Sequence, residues 1–173
     1  SKLLKILIAK GININEKNGA GDTALHIASN KGNIEILGLL LESGADINVK
    51  GGEDDSTPLF RAVDKSQVKT VVLLISKKAD VNSKNKEGVS ALYVSVAKKN
   101  IEIIKALISA GANPNEKNSE DGTLVMEIAK AEVSAKDAKF TSELVKILVA
   151  KGADLNAKNK SGISALHLAV NRI

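Results

Sequence analysis

The chain has 173 residues, a length typical of one domain, and 43% of them are hydrophobic while only 2% are aromatic. Its core must therefore consist of aliphatic side chains, which suit closely stacked helices and do not suit a pocket that stacks bases or sugars. There are no cysteines, so disulfides and thiolate metal sites are excluded, although this fixes no cellular compartment. The net charge of +5 comes almost entirely from lysines interleaved with acids. This predicts a solvated surface and no nucleic-acid partner, because nucleic-acid readers rely on arginine and aromatic side chains.

The first predicted element is a helix over residues 1–10. A short helix is predicted over residues 24–30 from its apolar positions, and Gly32 ends it. Residues 34–41 then form a helix that is apolar around most of its circumference, so it must be buried between neighbours. Gly44 follows as a helix stop that suits the left-handed backbone region.

Two short phrases recur along the rest of the chain in fixed phase. The phrase Gly-Ala-Asp-hydrophobic-Asn, with variations, starts at residues 11, 44, 78, 111 and 152, so its steps are 33, 34, 33 and 41 residues. The phrase Thr-Ala-Leu-His-Ile-Ala occupies residues 23–28. It returns in altered form at residues 57–62, 90–95 and 164–169, with a degraded copy at 124–129. A shared period near 33 residues indicates a repeat architecture.

On these two phrases the chain resembles the ankyrin-repeat family, and the resemblance covers essentially all 173 residues. It implies an all-α ankyrin-repeat solenoid of stacked antiparallel helix pairs, joined by β-turn or hairpin loops. One repeat cannot bury its apolar face alone, so a single ankyrin-repeat domain is predicted over residues 1–173. Its predicted parts are a half repeat at 1–19, full repeats at about 20–52, 53–86, 87–119 and 120–160, and a half repeat at 161–173.

The predicted half repeats at both ends lack a polar cap. We expect them to expose more apolar surface than is usual in water, and the leucines concerned are Leu4, Leu7, Leu166 and Leu168. The expectation is that the chain is a fragment of a longer array, or that its ends pack on something else. End-to-end self-stacking of the two half repeats is one form of the second alternative.

The chain has only two histidines, His26 and His167, and both occupy the same place in the second phrase. A catalytic or metal-binding role is open to any histidine. The ankyrin resemblance implies a different role, in which each imidazole bonds to turn backbone and to the hydroxyl of Thr23 or Ser164. We favour that structural role. In the other copies the histidine position is predicted to hold Phe60, Tyr93 and Glu127.

The 41-residue step marks an insertion of about seven residues between the two helices of the fourth full repeat. The segment 130–143 is rich in alanine and lysine and contains no glycine or proline, so it is predicted to extend the first helix by two turns. Insertions in repeat arrays often carry function. The alternative is tolerated drift, in which Phe140 folds back on the helix at 124–131.

No catalytic spacing, phosphate loop or dinucleotide fingerprint occurs, so the chain is predicted not to be an enzyme and to bind no cofactor. The acidic turn at Glu53, Asp54 and Asp55 raises the question of calcium. Calcium loops, however, place acids or amides at alternating positions with a closing bidentate glutamate. A solvated turn tip or an acidic partner contact fits better, and no metal site is predicted.

The predicted function is a scaffold that binds another protein or peptide on a concave face, because ankyrin-like stacks build that face from turn tips and first helices. The alternative is a targeting or regulatory arm of a larger multidomain enzyme, channel or secreted effector. No apolar stretch approaches the ~20 residues that span a bilayer, so no membrane insertion is predicted. Arg61 is the best single contact, because binding hot spots favour Trp, Tyr and Arg. When the concave-face positions of ankyrin-like stacks are aligned with this chain, the predicted contact residues are Asp22, Asn30, Lys31, Glu53, Asp54, Asp55, Arg61, Asp64, Lys65, Lys86, Glu87, Lys98, Glu120, Asp121, Glu132 and Lys160.

Overall fold

The computed structural model describes residues 2–130 and 137–171, which divide between two compact units, Ser1–Ala110 and Gly111–Ile173. The helices of unit 1 are α1 Lys2–Ala9, α2 Ala24–Lys31, α3 Ile34–Glu42, α4 Pro58–Asp64, α5 Val68–Ser76, α6 Ala91–Ala97 and α7 Ile101–Ser109. Those of unit 2 are α8 Leu124–Lys130, α9 Ala138–Ala150 and α10 Ala165–Val170. Within the described residues, no helix is both long enough and apolar enough to cross a membrane.

Side-chain caps start most helices of unit 1. Thr57 and Ser90 accept a hydrogen bond from the third residue of α4 and α6, at 3.2 and 3.1 Å. Asn33 and Asn100 do the same for α3 and α7, at 3.1 Å in both cases. These caps satisfy N–H groups that have no partner within a helix. Gly32 ends α2 as predicted, and its φ of 69° lies in the left-handed region.

The core of unit 1 lies between first helices (α2, α4, α6) and second helices (α3, α5, α7). Each first helix packs on its own second helix, and α4 packs on both α2 and α6. The largest fully buried side chains are aliphatic, as the composition predicted: Leu25, Leu37, Leu40, Leu59, Leu74, Leu92, Ile103, Ile104 and Leu107. Burying such a side chain contributes roughly 1.5–3 kcal/mol. The predicted all-α class of stacked helix pairs is confirmed, while the repeat boundaries within residues 1–173 stay a prediction.

In unit 2 the degraded phrase has a different register from the predicted one. The Asn18 N–H donates to the Asp22 carbonyl, and the Asn118 N–H donates to the Gly122 carbonyl, at 3.0 Å in both cases. The two hairpins therefore have the same length. Thr123 is therefore the residue before the helix, and Met126 rather than Glu127 occupies the histidine position. The prediction for Glu127 was wrong because it aligned residues 128–129 with residues 27–28, which have the same Ile-Ala sequence. In the structure this alignment is displaced by one residue. The hairpin decides the register, since its hydrogen bonds determine where the helix starts.

The described part of the insertion belongs to the second helix of its repeat. Helix α9 has 13 residues, whereas α3, α5 and α7 have 9 each, so α9 is about one turn longer. The added turn lies at its start, where Phe140 is half-buried. The predicted two-turn extension of the first helix is wrong for residues 138–143, because they form α9. Residues 131–136 lie outside the described residues.

Apolar side chains are exposed on the first and last described helices. In α1, Leu3 and Ile6 are 67% and 56% exposed and Leu7 is also exposed, while in α10 Leu166 is 71% exposed. The expectation of exposure is confirmed for Leu7 and Leu166. Two further leucines, Leu4 and Leu168, are half-buried.

Candidate partner-binding surface

Asparagine side chains join consecutive turns. Asn15 Oδ1 accepts from the Asp46 N–H at 2.9 Å, and Asn48 Oδ1 accepts from the Asp80 N–H at 2.8 Å. In unit 2 Asn115 Oδ1 accepts from the Asp154 N–H at 2.7 Å. Each acceptor is the last letter of the Gly-Ala-Asp-hydrophobic-Asn phrase. The recurrence of this asparagine was visible in the sequence, but its role was not predicted.

Backbone bonds also connect neighbouring turn tips. The Lys86 N–H donates to the Asp54 carbonyl at 2.8 Å in unit 1. The Lys160 N–H donates to the Glu120 carbonyl at 3.2 Å in unit 2. Lys50 Nζ adds a bond to the carbonyl of Lys84 at 3.0 Å. The tips are therefore held in order within each unit, which gives the charged side chains on them defined places.

His26 ties two successive turns of unit 1 together. Its Nδ1 accepts from the Thr23 N–H at 3.1 Å and lies 3.0 Å from Thr23 Oγ1. Because a backbone N–H can only donate, Nδ1 is unprotonated and Nε2–H donates to the Ser56 carbonyl at 3.0 Å. A Cβ added at Gly51 would lie 2.7 Å from His26 Cε1, so the imidazole and the turn are in close contact. His26 therefore positions the turn that carries Glu53 and its acidic neighbours.

The structural role predicted for the histidines is confirmed in both phrases. In unit 2 His167 Nδ1 accepts from the Ser164 N–H at 3.3 Å and lies 2.7 Å from Ser164 Oγ. The two sites differ in burial, because His26 is fully buried and His167 is exposed. Within the part of the chain that the structure describes, His26 bonds to the turn that follows it through Nε2 and the Ser56 carbonyl.

Burial lowers the pKa of His26 below its ordinary 6.5, and the charges of Arg61 and Lys17 add to this. The Ser56 carbonyl and Asp22 oppose the shift without cancelling it. The His26 imidazole therefore stays neutral in the folded chain at a pH where the same imidazole in the unfolded chain already binds a proton.

We expect stability to fall as the pH is lowered from about 6.5 towards the pKa of His26 in the folded chain. The stabilising contribution of neutral His26 is complete above the unfolded pKa, and its loss is at most about 1.4 kcal/mol per pH unit for one proton. Urea unfolding at several pH values between about 5.5 and 7.5 measures this slope. The variant His26→Met should flatten the slope. An equal slope in His26→Met and the parent chain would contradict the prediction.

Three of the predicted contact residues form one ion-pair cluster across two repeats. Arg61 Nη2 lies 2.9 Å from Asp54 Oδ1 and 3.4 Å from Asp22 Oδ1. Arg61 Nε is buried and has no hydrogen-bond partner. Gly52, with a φ of 73°, lies beside the guanidinium, and a Cβ at this position would collide with Nη2. A glycine is needed at this position because of both the backbone conformation and the lack of space.

A second cluster joins the ends of α4 and α6. Asp64 Oδ2 lies 3.1 Å from Lys65 Nζ, and Asp64 Oδ1 lies 3.1 Å from Lys98 Nζ. Burial alone would raise the pKa of Asp64, but the hydrogen bonds and charges of the two lysines outweigh it and lower the pKa. Asp64 is therefore ionised at neutral pH and holds both ammonium groups beside it.

The other predicted contact residues lie on turns or helix ends, and most are exposed. Those exposed in unit 1 are Asn30, Lys31, Glu53, Asp55, Lys86 and Glu87. In unit 2 Glu120 and Lys160 are exposed and Asp121 is half-buried. Glu132 lies outside the described residues. Within the described ranges, no group of three His, Asp or Glu side chains is arranged to hold a metal ion.

The predicted contact residues did not include Glu127, although its position in the repeat is that of Arg61. Glu127 follows the histidine position of its repeat, as Arg61 does in its own. Its Oε1 accepts from Asn118 Nδ2 at 3.2 Å and lies 3.0 Å from Lys130 Nζ. The correct register of the degraded phrase would have placed Glu127 beside Arg61 in the alignment.

Comparison with known proteins agrees with this arrangement of helix pairs and turns. The family model "Ankyrin repeats (3 copies)" matches residues 1–51 and 50–118. The chain belongs to the ankyrin-repeat family. The crystal structure of an ankyrin repeat domain from Acinetobacter baumannii AYE is similar to it with a TM-score of 0.86 and 28% identity, covering 99% of this chain and 85% of that one.

Two relatives of the chain are much longer than the matched region. B-cell lymphoma 3 protein homolog of Mus musculus is 37% identical over 91 residues, which are 53% of this chain and 20% of that protein. Protein phosphatase 1 regulatory subunit 12A of Mus musculus is 37% identical over 76 residues, which are 44% of this chain and 7% of that protein. Ankyrin repeats generally mediate protein–protein interaction and are typically not catalytic.

Proposed function

We propose that the turn tips and first helices of unit 1 form a surface that binds another protein or a peptide, without catalysis. The observation that supports this most directly is the cluster of Arg61 with Asp22 and Asp54. It holds charges from two repeats in fixed positions, next to the exposed carboxylates of Glu53 and Asp55. Side chains that are already ordered lose less entropy when a partner binds.

The same face offers apolar area beside the charges. Ile27 occupies in α2 the place that Arg61 occupies in α4, and it is exposed. The aromatic residues contribute less, since Phe60 is buried and Tyr93 is half-buried. Because Arg61 is engaged by Asp22 and Asp54, we propose that it acts mainly by holding the two carboxylates in place.

The surface is tested by capturing a partner from the source cells with variants of the chain. The variant Glu53→Lys with Glu87→Lys reverses two exposed tip charges and leaves Asp54 in its ion pair. We expect roughly tenfold weaker retention of the partner. Retention should also fall at high salt, because exposed charges are then screened.

The matched control is Glu42→Lys with Glu102→Lys, which makes the same charge change on exposed positions of the second helices α3 and α7. This variant should retain the partner as the parent chain does. Unchanged retention by the tip variant, or equal loss in both variants, would count against the proposed surface.

A second candidate is a regulatory arm of a larger protein. The chain spans 20% or less of the relatives described above, one of which is by name a regulatory subunit. In that case the surface on unit 1 would hold the target of the rest of the protein. Sequencing the coding region on both sides of residues 1–173 tests this candidate, and the absence of any further domain would argue against it.

A further inference from the structure

Three lysines occupy the same position at the ends of the first helices of unit 1. Lys31 is the last residue of α2, and Lys65 and Lys98 directly follow α4 and α6. They are separated by steps of 34 and 33 residues. All three are exposed, and the side chains of Lys65 and Lys98 are 53% and 44% accessible. We call them the lysine row.

Favourable interaction with the helix dipole accounts for only part of this pattern. A lysine at a helix C-terminus does complement the negative end of the dipole. The second helices have the same dipole, yet the residues that directly follow α3, α5 and α7 are Ser43, Lys77 and Ala110. The uninterrupted lysine row is specific to the ends of the first helices, which lie on the proposed binding surface.

Asp64 gives part of the lysine row a fixed geometry. One carboxylate oxygen holds Lys65 and the other holds Lys98, each at 3.1 Å. An ammonium group has three N–H donors, so each lysine keeps donors for a further acceptor. In the described residues Lys31 makes no ion pair, so its ammonium is open to a partner.

We propose that the lysine row binds an acidic, extended segment of a partner protein that lies across the ends of the first helices. This inference rests on the proposed function and names the chemistry of its partner. Neighbouring packed helices are roughly 8–10 Å apart, so the row spans roughly 20 Å. A polyproline II segment presents every third side chain on one face at intervals of about 9 Å, which matches this spacing. The partner segment therefore carries carboxylates three residues apart.

The charges at the opposite edge of the surface favour a narrow protein segment over a broad anionic surface. Glu53 and Glu87 are exposed at the turn tips, and they would repel an anionic membrane that covered the whole face. A single acidic segment contacts the lysine row and leaves the tips uncovered. Nucleic-acid binding is disfavoured as well, since Arg61 is already paired with Asp22 and Asp54.

The test uses fluorescent proline-rich peptides and measures their binding to the full 173-residue chain by anisotropy at low salt. One peptide has three glutamates that are three residues apart. A second peptide has the same composition, but its three glutamates are adjacent. A third has lysines in place of the glutamates. We expect the spaced acidic peptide to bind several-fold more tightly than the clustered one, and the lysine peptide not to bind through this row. Lys31→Glu with Lys98→Glu should weaken the spaced peptide about tenfold.

The matched control is Lys69→Glu with Lys77→Glu, which makes the same charge change on exposed positions in α5 and directly after it and should leave binding unchanged. Thermal melts of both variants show whether they fold. The inference would be overturned if the clustered peptide bound as tightly as the spaced one, or if both variants lost binding equally. It would also be overturned if the lysine row bound vesicles of equimolar phosphatidylserine and phosphatidylcholine more strongly than the spaced peptide. The same holds if no peptide binds at all. None of these outcomes bears on the tip variant in the capture experiment, which tests the proposed function separately.

Discussion

Replacing His26 by alanine is expected to lower the free energy of unfolding by about 3 kcal/mol. The change removes a fully buried ring and leaves a cavity between two turns. It also leaves the buried Thr23 N–H without its acceptor and takes one of two donors from the Ser56 carbonyl, which keeps its bond from the Gly51 N–H at 2.9 Å. Urea unfolding of the variant and the parent chain measures the loss.

A second substitution separates the polar from the packing contribution. Met126 fills the equivalent position in unit 2 and is buried there. His26→Met should therefore fill most of the cavity and cost only the lost hydrogen bonds, about 1–2 kcal/mol. His167→Ala is the matched control, because that ring is exposed, and it should cost about 1 kcal/mol or less. A loss for His26→Ala no larger than for His167→Ala would show that His26 does not stabilise the turns.

Replacing Leu74 by alanine is expected to cost about 3–4 kcal/mol. Leu74 is fully buried in α5, which packs on both α4 and α7. The cavity would weaken contacts within one repeat and between two repeats, and in repeat proteins these neighbour contacts supply much of the stability. The loss is a large part of the 5–15 kcal/mol typical of a domain, so a shift of the urea midpoint should be easy to measure.

Val72→Ala is the control for that experiment, since Val72 lies two residues away in the same helix and is 50% exposed. Alanine also has the better helix propensity, so the change should stay within about 0.5 kcal/mol of the parent. Similar losses for Leu74→Ala and Val72→Ala would contradict the burial on which the prediction depends.

The helices of the first full repeat could be predicted almost to the residue. The predicted spans 24–30 and 34–41 correspond to Ala24–Lys31 and Ile34–Glu42. Apolar spacing, capping residues and the glycine stop all act within a few residues along the chain, so they are readable in the sequence. The register predicted from the sequence was wrong at the degraded phrase. There the Ile-Ala pair at 128–129 suggested an alignment that the Asn118 hairpin bond excludes.

The candidate surface was only partly predictable. The turn and helix-end positions of the charged residues followed from the repeat alignment. Their pairing did not, because Arg61 meets Asp22 over a separation of 39 residues and Lys98 meets Asp64 in the preceding repeat. Whether a carboxylate is held in an ion pair or left exposed, as Glu53 is, depends on such contacts.

The array of ankyrin-type helix pairs and its aliphatic core could be predicted from the sequence alone, because the period and the helix signals are local and repeated. Three contacts are visible only in the folded chain: His26 bonds to the following turn, Arg61 pairs with Asp22 and Asp54, and Asp64 pairs with Lys65 and Lys98. The partners in these contacts are mostly far apart along the chain. Stacking brings together residues about one repeat apart, and no local pattern states which of their polar atoms will meet.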